Sequence, residues 1–302
     1  MTSSPYPPAA PLVPDAWLGL IARLPADGGP TGAIWSRRAR QIVIECLDQW
    51  DLTVTGPART GWTAVAFPVD RDGAPAVLKV GWPHRESAAE HTALRLWGGR
   101  GAVRLLAADP ARGALLLERL DPTRTLGSED AFTACEIAGG LLRRLHVPAP
   151  PTIPPLRDLL APHLERLGHG AVPRRLAART RSLAEELLPD PTHVVLHTDL
   201  HYDNVLGAER EPWLAIDPKP AAGHPGFEFQ PLLRNRVDEL GTGSALRRSV
   251  RHRLQIAADA AGVDAEEARL WSLLHTGIQI LWAHDDPAAA SLHVALFKAL
   301  ED

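Results

Sequence analysis

The 302-residue chain is 45% apolar and 23% charged, the balance of an ordinary globular protein, and its length suits two lobes better than one core. A formal charge of -4 without a long basic run argues against a nucleic-acid partner, and no apolar stretch reaches the roughly 20 residues that span a bilayer. Two cysteines, Cys46 and Cys135, lie in helix-like apolar patterns and read as buried free thiols of a reducing compartment, so a cytoplasmic location is expected.

Residues 1–16 form a Pro-rich leader that lacks the basic start and apolar centre of a secretory signal. Residues 35–50 carry helical apolar spacing through Ile42, Val43, Cys46 and Leu47. Residues 62–69 and 76–80 are rich in β-branched and aromatic side chains around Arg71-Asp72-Gly73, which predicts a hairpin. Residues 86–97 read as a helix, and residues 102–107 and 114–117 as two further strands. The run from Glu118 to Pro122 reads as a linker, so the β-rich part is expected to span 1–120 and a mainly helical part 121–302. In the second part Phe132, Cys135, Ala138, Leu142 and Leu145 recur at helical spacing, and helices are again expected at 245–261 and after Asp264. Two short strands, at 193–197 and 212–217, interrupt that pattern. The expected fold class is α+β, a small antiparallel β lobe followed by a larger helical lobe.

The densest set of ionisable groups is His197, Asp199, His201 and Asp203, closed by Asn204, directly after the apolar strand Val194-Val195-Leu196. Loops at strand ends commonly present catalytic groups. Asp217 ends the next apolar strand. If those two strands pair as a hairpin, Asp199, Asn204 and Asp217 converge at one end of it. Two carboxylates and an amide oxygen suit a hard cation such as Mg²⁺, with phosphate oxygens and waters completing its shell. The spacing Asp-x-x-x-x-Asn, with a His two residues earlier and a later strand-end Asp, matches the set used for phosphoryl transfer from ATP. That chemistry also needs a lysine on the phosphates. Lys79, the single charge in the apolar strand Ala76-Val77-Leu78-Lys79-Val80, is the candidate. On the following helix Glu90 shares a stripe with Leu94 and Trp97, which favours it over Glu86 as the partner of Lys79.

The stretch from Val195 to Asn235, through Ile216-Asp217-Pro218-Lys219 and Pro231-Leu232-Leu233-Arg234-Asn235, resembles the aminoglycoside phosphotransferase superfamily. Within it, the chain is most similar to the aminoglycoside 6-phosphotransferase (streptomycin 6-kinase) and hydroxyurea phosphotransferase family. The resemblance implies a protein-kinase-like two-lobed fold, ATP with Mg²⁺ bound between the lobes, and phosphate transfer to a hydroxyl of a small molecule. Carried over, Asp199 resembles the catalytic base, Asn204 and Asp217 the metal ligands, and Lys79 with Glu90 the phosphate-pairing couple. The backbone from Leu117 to Leu120, including Glu118 and Leu120, would hold the adenine. Thr198, His224 and Glu228 stand where the family usually has Gly, Asp and Asp.

Acceptor contacts are expected from Asp203, Glu228, Asp238 and Asp285, acids suited to a cationic or polar acceptor, and from Trp271 as a pocket wall. Three other readings stand beside this one: a kinase of another small metabolite such as an amino sugar, a metal-dependent hydrolase built on His197, Asp199 and His201, and a kinase-like ligand binder without transfer. Oligomeric state has no signature in the sequence.

Overall fold

The computed structural model describes residues 12–167 and 172–301. They separate into two compact units, residues 12–91 with Arg104–Arg119, and Thr92–Val103 with residues 120–301. Of the leader, residues 1–11 lie outside the described residues, and Asp15 already opens the first helix.

The first unit begins with helices α1 (Asp15–Ile21) and α2 (Gly32–Gln49), the latter capped by the Thr31 hydroxyl on the Ile34 N–H. Strands β1 (Thr53–Val54), β2 (Arg59–Thr60), β3 (Ala64–Arg71) and β4 (Ala74–Gly81) follow. Arg71 pairs with Ala74, leaving Asp72 and Gly73 as a two-residue turn with φ of 54° and 82°. Positive φ at both positions is the geometry that matches strand twist, which is why Asp-Gly sits there. Along β3 and β4 the side chains alternate. Val65, Phe67, Val69, Ala76, Leu78 and Val80 are buried against Trp17, Trp35, Val43 and Cys46 of the two helices, and Lys79 points to the other face. Strands β5 (Leu105–Asp109) and β6 (Ala114–Glu118) complete an antiparallel sheet of order β1-β3-β4-β6-β5 with β2 on β3. The expected strand at 102–107 starts three residues later than predicted. Helix α3 is Glu90–Trp97; Glu86 and Ser87, expected in that helix, fall in a separate 3₁₀ turn, Arg85–Ser87.

The second unit takes in most of α3. The Trp97 indole donates to the Leu145 carbonyl at 2.8 Å, and Val103 N–H to the Ala215 carbonyl. Of the run expected as a linker, Glu118 to Pro122, Glu118 ends β6 and Asp121 and Pro122 open strand β7 (Asp121–Thr125). Helices α4 (Ala131–Leu145), α5 (Leu156–Arg166) and α6 (Arg174–Leu187) precede β8 (Val194–Leu196). Strands β9 (Val205–Gly207), β10 (Trp213–Ala215) and β11 (Ala221–Gly223) come next, then α7 (Gln230–Leu233), α8 (Gly243–Ala261), α9 (Ala265–Trp282) and α10 (Pro287–Glu301). Asp264 caps α9 by accepting from Glu266 and Glu267 N–H. Helices α4 and α8 come together at Gly139, where a Cβ would collide with the Ala257 carbonyl oxygen.

The strands at 193–197 and 212–217 do not pair with each other. β8 pairs with β11, and β10 pairs with β9, which pairs in turn with β7. The reason is spacing: the two-strand ribbon β9–β10 forms locally around Ala208–Pro212, and β8 waits for the strand beyond it.

Candidate active site

The turn after β8 brings the ionisable cluster together. Thr198 sits at φ 60°, a left-handed conformation unusual for a β-branched residue. It is held there from two sides: its N–H donates to Glu228 Oε2 at 2.8 Å, and its hydroxyl donates to the Lys219 carbonyl at 2.7 Å. His197 N–H donates to Glu228 Oε1 at 2.5 Å. Glu228 is fully buried in a 3₁₀ turn, Pro225–Glu228, so a single carboxylate fixes two successive backbone amides of the loop. The acceptor contact expected of Glu228 is therefore corrected: both oxygens serve backbone, and no surface is left to meet a ligand.

His197 is also fully buried, stacked on Trp97 with 6.2 Å between ring centroids. Its Nε2–H donates to the Ile216 carbonyl at 2.9 Å and its Nδ1 accepts the Asp199 N–H at 3.4 Å. Burial holds its pKa below the ordinary histidine value, which keeps the ring in the neutral form that this pair of bonds requires. Both ring nitrogens are thus committed. The left-handed turn at Thr198 also breaks the strand alternation on which a His197-Asp199-His201 metal site depended. The hydrolase reading falls on these two points, and among the described residues no group of three His, Cys, Asp or Glu is placed to hold a metal.

Asp199 is mostly buried and carries two cations, Arg234 Nη2 on Oδ1 at 2.7 Å and Lys219 Nζ on Oδ2 at 3.0 Å. Burial alone would raise its pKa, but Lys219 and Arg234 outweigh it and hold the group below the usual carboxylate range. Asn204 donates its Nδ2 to the Asp199 carbonyl at 2.9 Å, while its own carbonyl accepts the Ile216 N–H at 2.9 Å. The hairpin that would have joined Asp199, Asn204 and Asp217 is absent, yet these backbone bonds bring their segments together by another route. Lys219 N–H donates to the His197 carbonyl at 3.0 Å, closing the loop on Asp217, an exposed carboxylate held at φ 55°.

The remaining expected residues fall as follows. Within the first unit, Lys79 Nζ meets Glu90 Oε1 at 2.6 Å, both largely buried. Glu118 ends β6, exchanging bonds with the Arg104 backbone through its N–H and its carboxylate; Leu120 follows two residues later. Asp203 lies exposed in the 3₁₀ turn Tyr202–Asn204, and Asp238 and Asp285 are exposed in 3₁₀ turns of their own. Trp271 is buried and stacked on His224, centroids 5.2 Å apart, lining a small pocket with Leu156, Asp190, His193 and Gly223. Sequence reasoning gave no role to Lys219 or Arg234. The signal was present: cations two residues past the strand-end Asp217 and beside Asn235, whose side chain accepts the Tyr202 N–H of the same loop.

The family model for aminoglycoside/hydroxyurea antibiotic resistance kinases matches residues 49–287. The chain belongs to that family. It is 41% identical over 283 residues to a streptomycin 6-kinase of Streptomyces glaucescens, covering 89% of this chain and 92% of that one. It is also 41% identical over 299 residues to a hydroxyurea phosphotransferase of Kitasatospora aureofaciens, covering 91% and 85%. Among solved structures, an aminoglycoside phosphotransferase in ternary complex with ADP and hygromycin B matches with a TM-score of 0.58, covering 85% of this chain and 96% of that one at 13% identity. The fold is the α+β, protein-kinase-like fold of these kinases, and the chain is a phosphotransferase of the family. Among the described residues no helix is long and apolar enough to cross a membrane.

Proposed function

We propose that this kinase transfers the γ-phosphoryl group of ATP to a hydroxyl of a small antibiotic, with streptomycin as the first acceptor to test and hydroxyurea the second. The observation that carries the reading is Asp199, a carboxylate kept ionised at the mouth of its loop with Asn204 bonded to its backbone. The likeness to two resistance kinases at 41% identity supports the acceptor class.

In this reading Asp199 orients the acceptor hydroxyl and takes its proton as the phosphoryl group passes in line. Lys79, oriented by Glu90, pairs the phosphates, and the backbone from Glu118 to Leu120 holds the adenine. Asn204 and Asp217 fit a magnesium ion: the Asn204 nitrogen is committed to the Asp199 carbonyl, which leaves its oxygen as the ligating end, and Asp217 offers an exposed carboxylate. When bound, the ion neutralises phosphate charge. Asp203, Asp238 and Asp285 are surface acids suited to the charge of a cationic acceptor, and Trp271 offers an apolar wall.

The deciding experiment measures ADP release from ATP against streptomycin, other aminoglycosides, hydroxyurea and simple amino sugars. Streptomycin- or hydroxyurea-dependent turnover, with the product carrying one phosphate by mass, supports the reading. Turnover on an amino sugar alone, or ADP release indifferent to any acceptor, refutes it.

A further inference from the structure

Glu228 is short of donors for a buried carboxylate. Its two oxygens offer about four acceptor positions, and among the described residues they take the His197 and Thr198 N–H groups. Both donors are neutral backbone amides. A carboxylate taken out of water needs fuller hydrogen bonding than that. Facing it stands the reverse case. His146 Nε2 is buried without a hydrogen-bond partner, its side chain is 9% exposed, and it lies 3.7 Å from Glu228 Oε1. The gap is about 0.8 Å longer than an ordinary N–H···O bond. Beside a carboxylate the protonated form of that nitrogen is favoured, since two facing lone pairs repel.

The backbone that carries His146 is tied to the catalytic loop on both sides. His146 itself caps the C-terminal end of α4, its N–H on the Leu142 carbonyl at 3.0 Å. The residue before it, Leu145, accepts the Trp97 indole, and Trp97 stacks on His197. The residue after it, Val147, accepts the Val195 N–H at 2.8 Å, and Ala149 N–H donates to the His193 carbonyl at 3.1 Å. Pro148 therefore lies opposite Val194, and the exit of α4 runs in register along β8, the strand that leads into His197. With the backbone fixed in this way, the torsions of two side chains are what close the gap.

We propose that His146 is a positioning residue for phosphoryl transfer, donating its Nε2–H to Glu228 Oε1 and through Glu228 holding the turn that carries Asp199. This rests on the kinase reading above. His146 keeps its hydrogen throughout, and Asp199 alone takes the acceptor proton. The effect is geometric. Oε1 already holds the His197 N–H, so a second donor on that oxygen fixes the rotation of the carboxylate. Oε2 then stays under the Thr198 N–H, and Thr198 stays at φ 60°. Asp199 is the next residue, so the direction of its carboxylate follows the peptide plane that this bond sets. A reacting group loses rate steeply with small displacements, and such a loss falls on kcat while ATP and acceptor still bind.

The test uses the full chain. Hydrogen exchange of the His197 and Thr198 amides is followed by NMR without nucleotide or acceptor, and kcat and KM are measured with ATP and streptomycin. His146→Leu removes the donor at similar volume, and His146→Gln places an amide N–H near the position of Nε2. The inference expects His146→Leu to speed exchange of both amides and to lower kcat, each by about 10-fold, with both KM values within about 3-fold. His146→Gln restores both readouts to within about 3-fold of the parent. In a Glu228→Gln background the kcat penalty of His146→Leu shrinks to within about 3-fold, because the two side chains act as one unit. If His146 only fills space, His146→Gln restores neither readout and the two kcat penalties multiply in full. If solvent alone satisfies its nitrogen, His146→Leu exchanges and turns over as the parent does. Either result overturns the inference. A parent without acceptor-dependent turnover instead sinks the kinase reading, and amide exchange still judges His146. Should His146→Leu fail to fold, His146→Asn, whose amide stops short of Oε1, takes its place in every comparison.

Discussion

Replacing Glu228 with Gln perturbs one buried group and reads out at a residue it never touches. The wild-type carboxylate accepts two backbone N–H groups, at 2.5 and 2.8 Å, from inside the protein. A carboxamide of the same shape has one acceptor oxygen, so one N–H keeps a partner and the other faces an NH₂. The lost charge-assisted bond and the orphaned amide together cost about 2–5 kcal/mol, offset in part because a neutral group no longer bears the desolvation of a buried charge. A net loss of about 1–3 kcal/mol follows. The same two bonds hold Thr198 in the left-handed region, which by itself is unfavourable by about 1–2 kcal/mol for such a residue. With one bond gone the turn relaxes, and Asp199, one residue on, moves with it. A displacement near 1 Å at a reacting group costs on the order of 10²-fold in rate. Thermal unfolding monitored by circular dichroism, with kcat and KM for ATP and streptomycin, checks both halves. The expectation is a lowered midpoint and a kcat down about 10²-fold, with the ATP KM nearly unchanged. A variant with the parent's midpoint and a kcat within about 3-fold refutes the claim that Glu228 positions the loop.

Asp199→Ala is expected to lower kcat by roughly 10²- to 10⁴-fold while calorimetry still shows ATP binding; normal turnover removes Asp199 from the chemistry. Lys79→Ala is expected to lower kcat/KM for ATP by about 10²-fold with the acceptor KM steady, and unchanged kinetics would take Lys79 off the phosphates. His275, fully buried and stacked on Phe227 at 4.0 Å, has its pKa pushed down by burial from 6.5 to about 4. The unfolded chain takes up that proton first, so stability present above pH 6.5 is lost as pH falls from there toward 4, by up to about 3 kcal/mol; His275→Gln flattens that slope in unfolding measurements across the window, and an unaltered slope assigns the loss elsewhere. Gly139→Ala forces a methyl onto the Ala257 carbonyl of α8 and is expected to cost about 1–3 kcal/mol, seen as a lower urea midpoint; an unshifted midpoint means the helices separate freely.

Features set by short-range chemistry were legible in the sequence. The Asp72-Gly73 turn, the alternation of β3 and β4, and the Asp264 cap each follow from residues a few positions apart. The Lys79–Glu90 pair was legible because a lone cation in an apolar strand must find a nearby acid. Strand β7 was not, since Pro122 and an exposed, polar composition resemble a linker, and only its pairing with β9 makes it a strand. The pairing of β8 with β11 was hidden for a related reason: several short apolar strands can pair in more than one way, and sequence proximity favoured the wrong partner. Glu228 shows the limit most clearly. A carboxylate in a loop reads as a surface charge, and its inward direction depends on where His197 and Thr198 present their amides. Lys219 and Arg234 stood in plain view, but nothing in the spacing says that both reach the same carboxylate.

The buried Glu228 has a consequence for how such enzymes diversify. Because the turn bearing Asp199 is founded on a carboxylate beneath it, its geometry is fixed from inside the protein. Trp271 of α9 stacks on His224 and meets Phe227 edge-on, so a substitution there reaches that foundation, whereas Asp238 and Asp285 stand exposed in turns of their own. Drift at such exposed acids remodels the surface while the floor beneath Asp199 stays as it is.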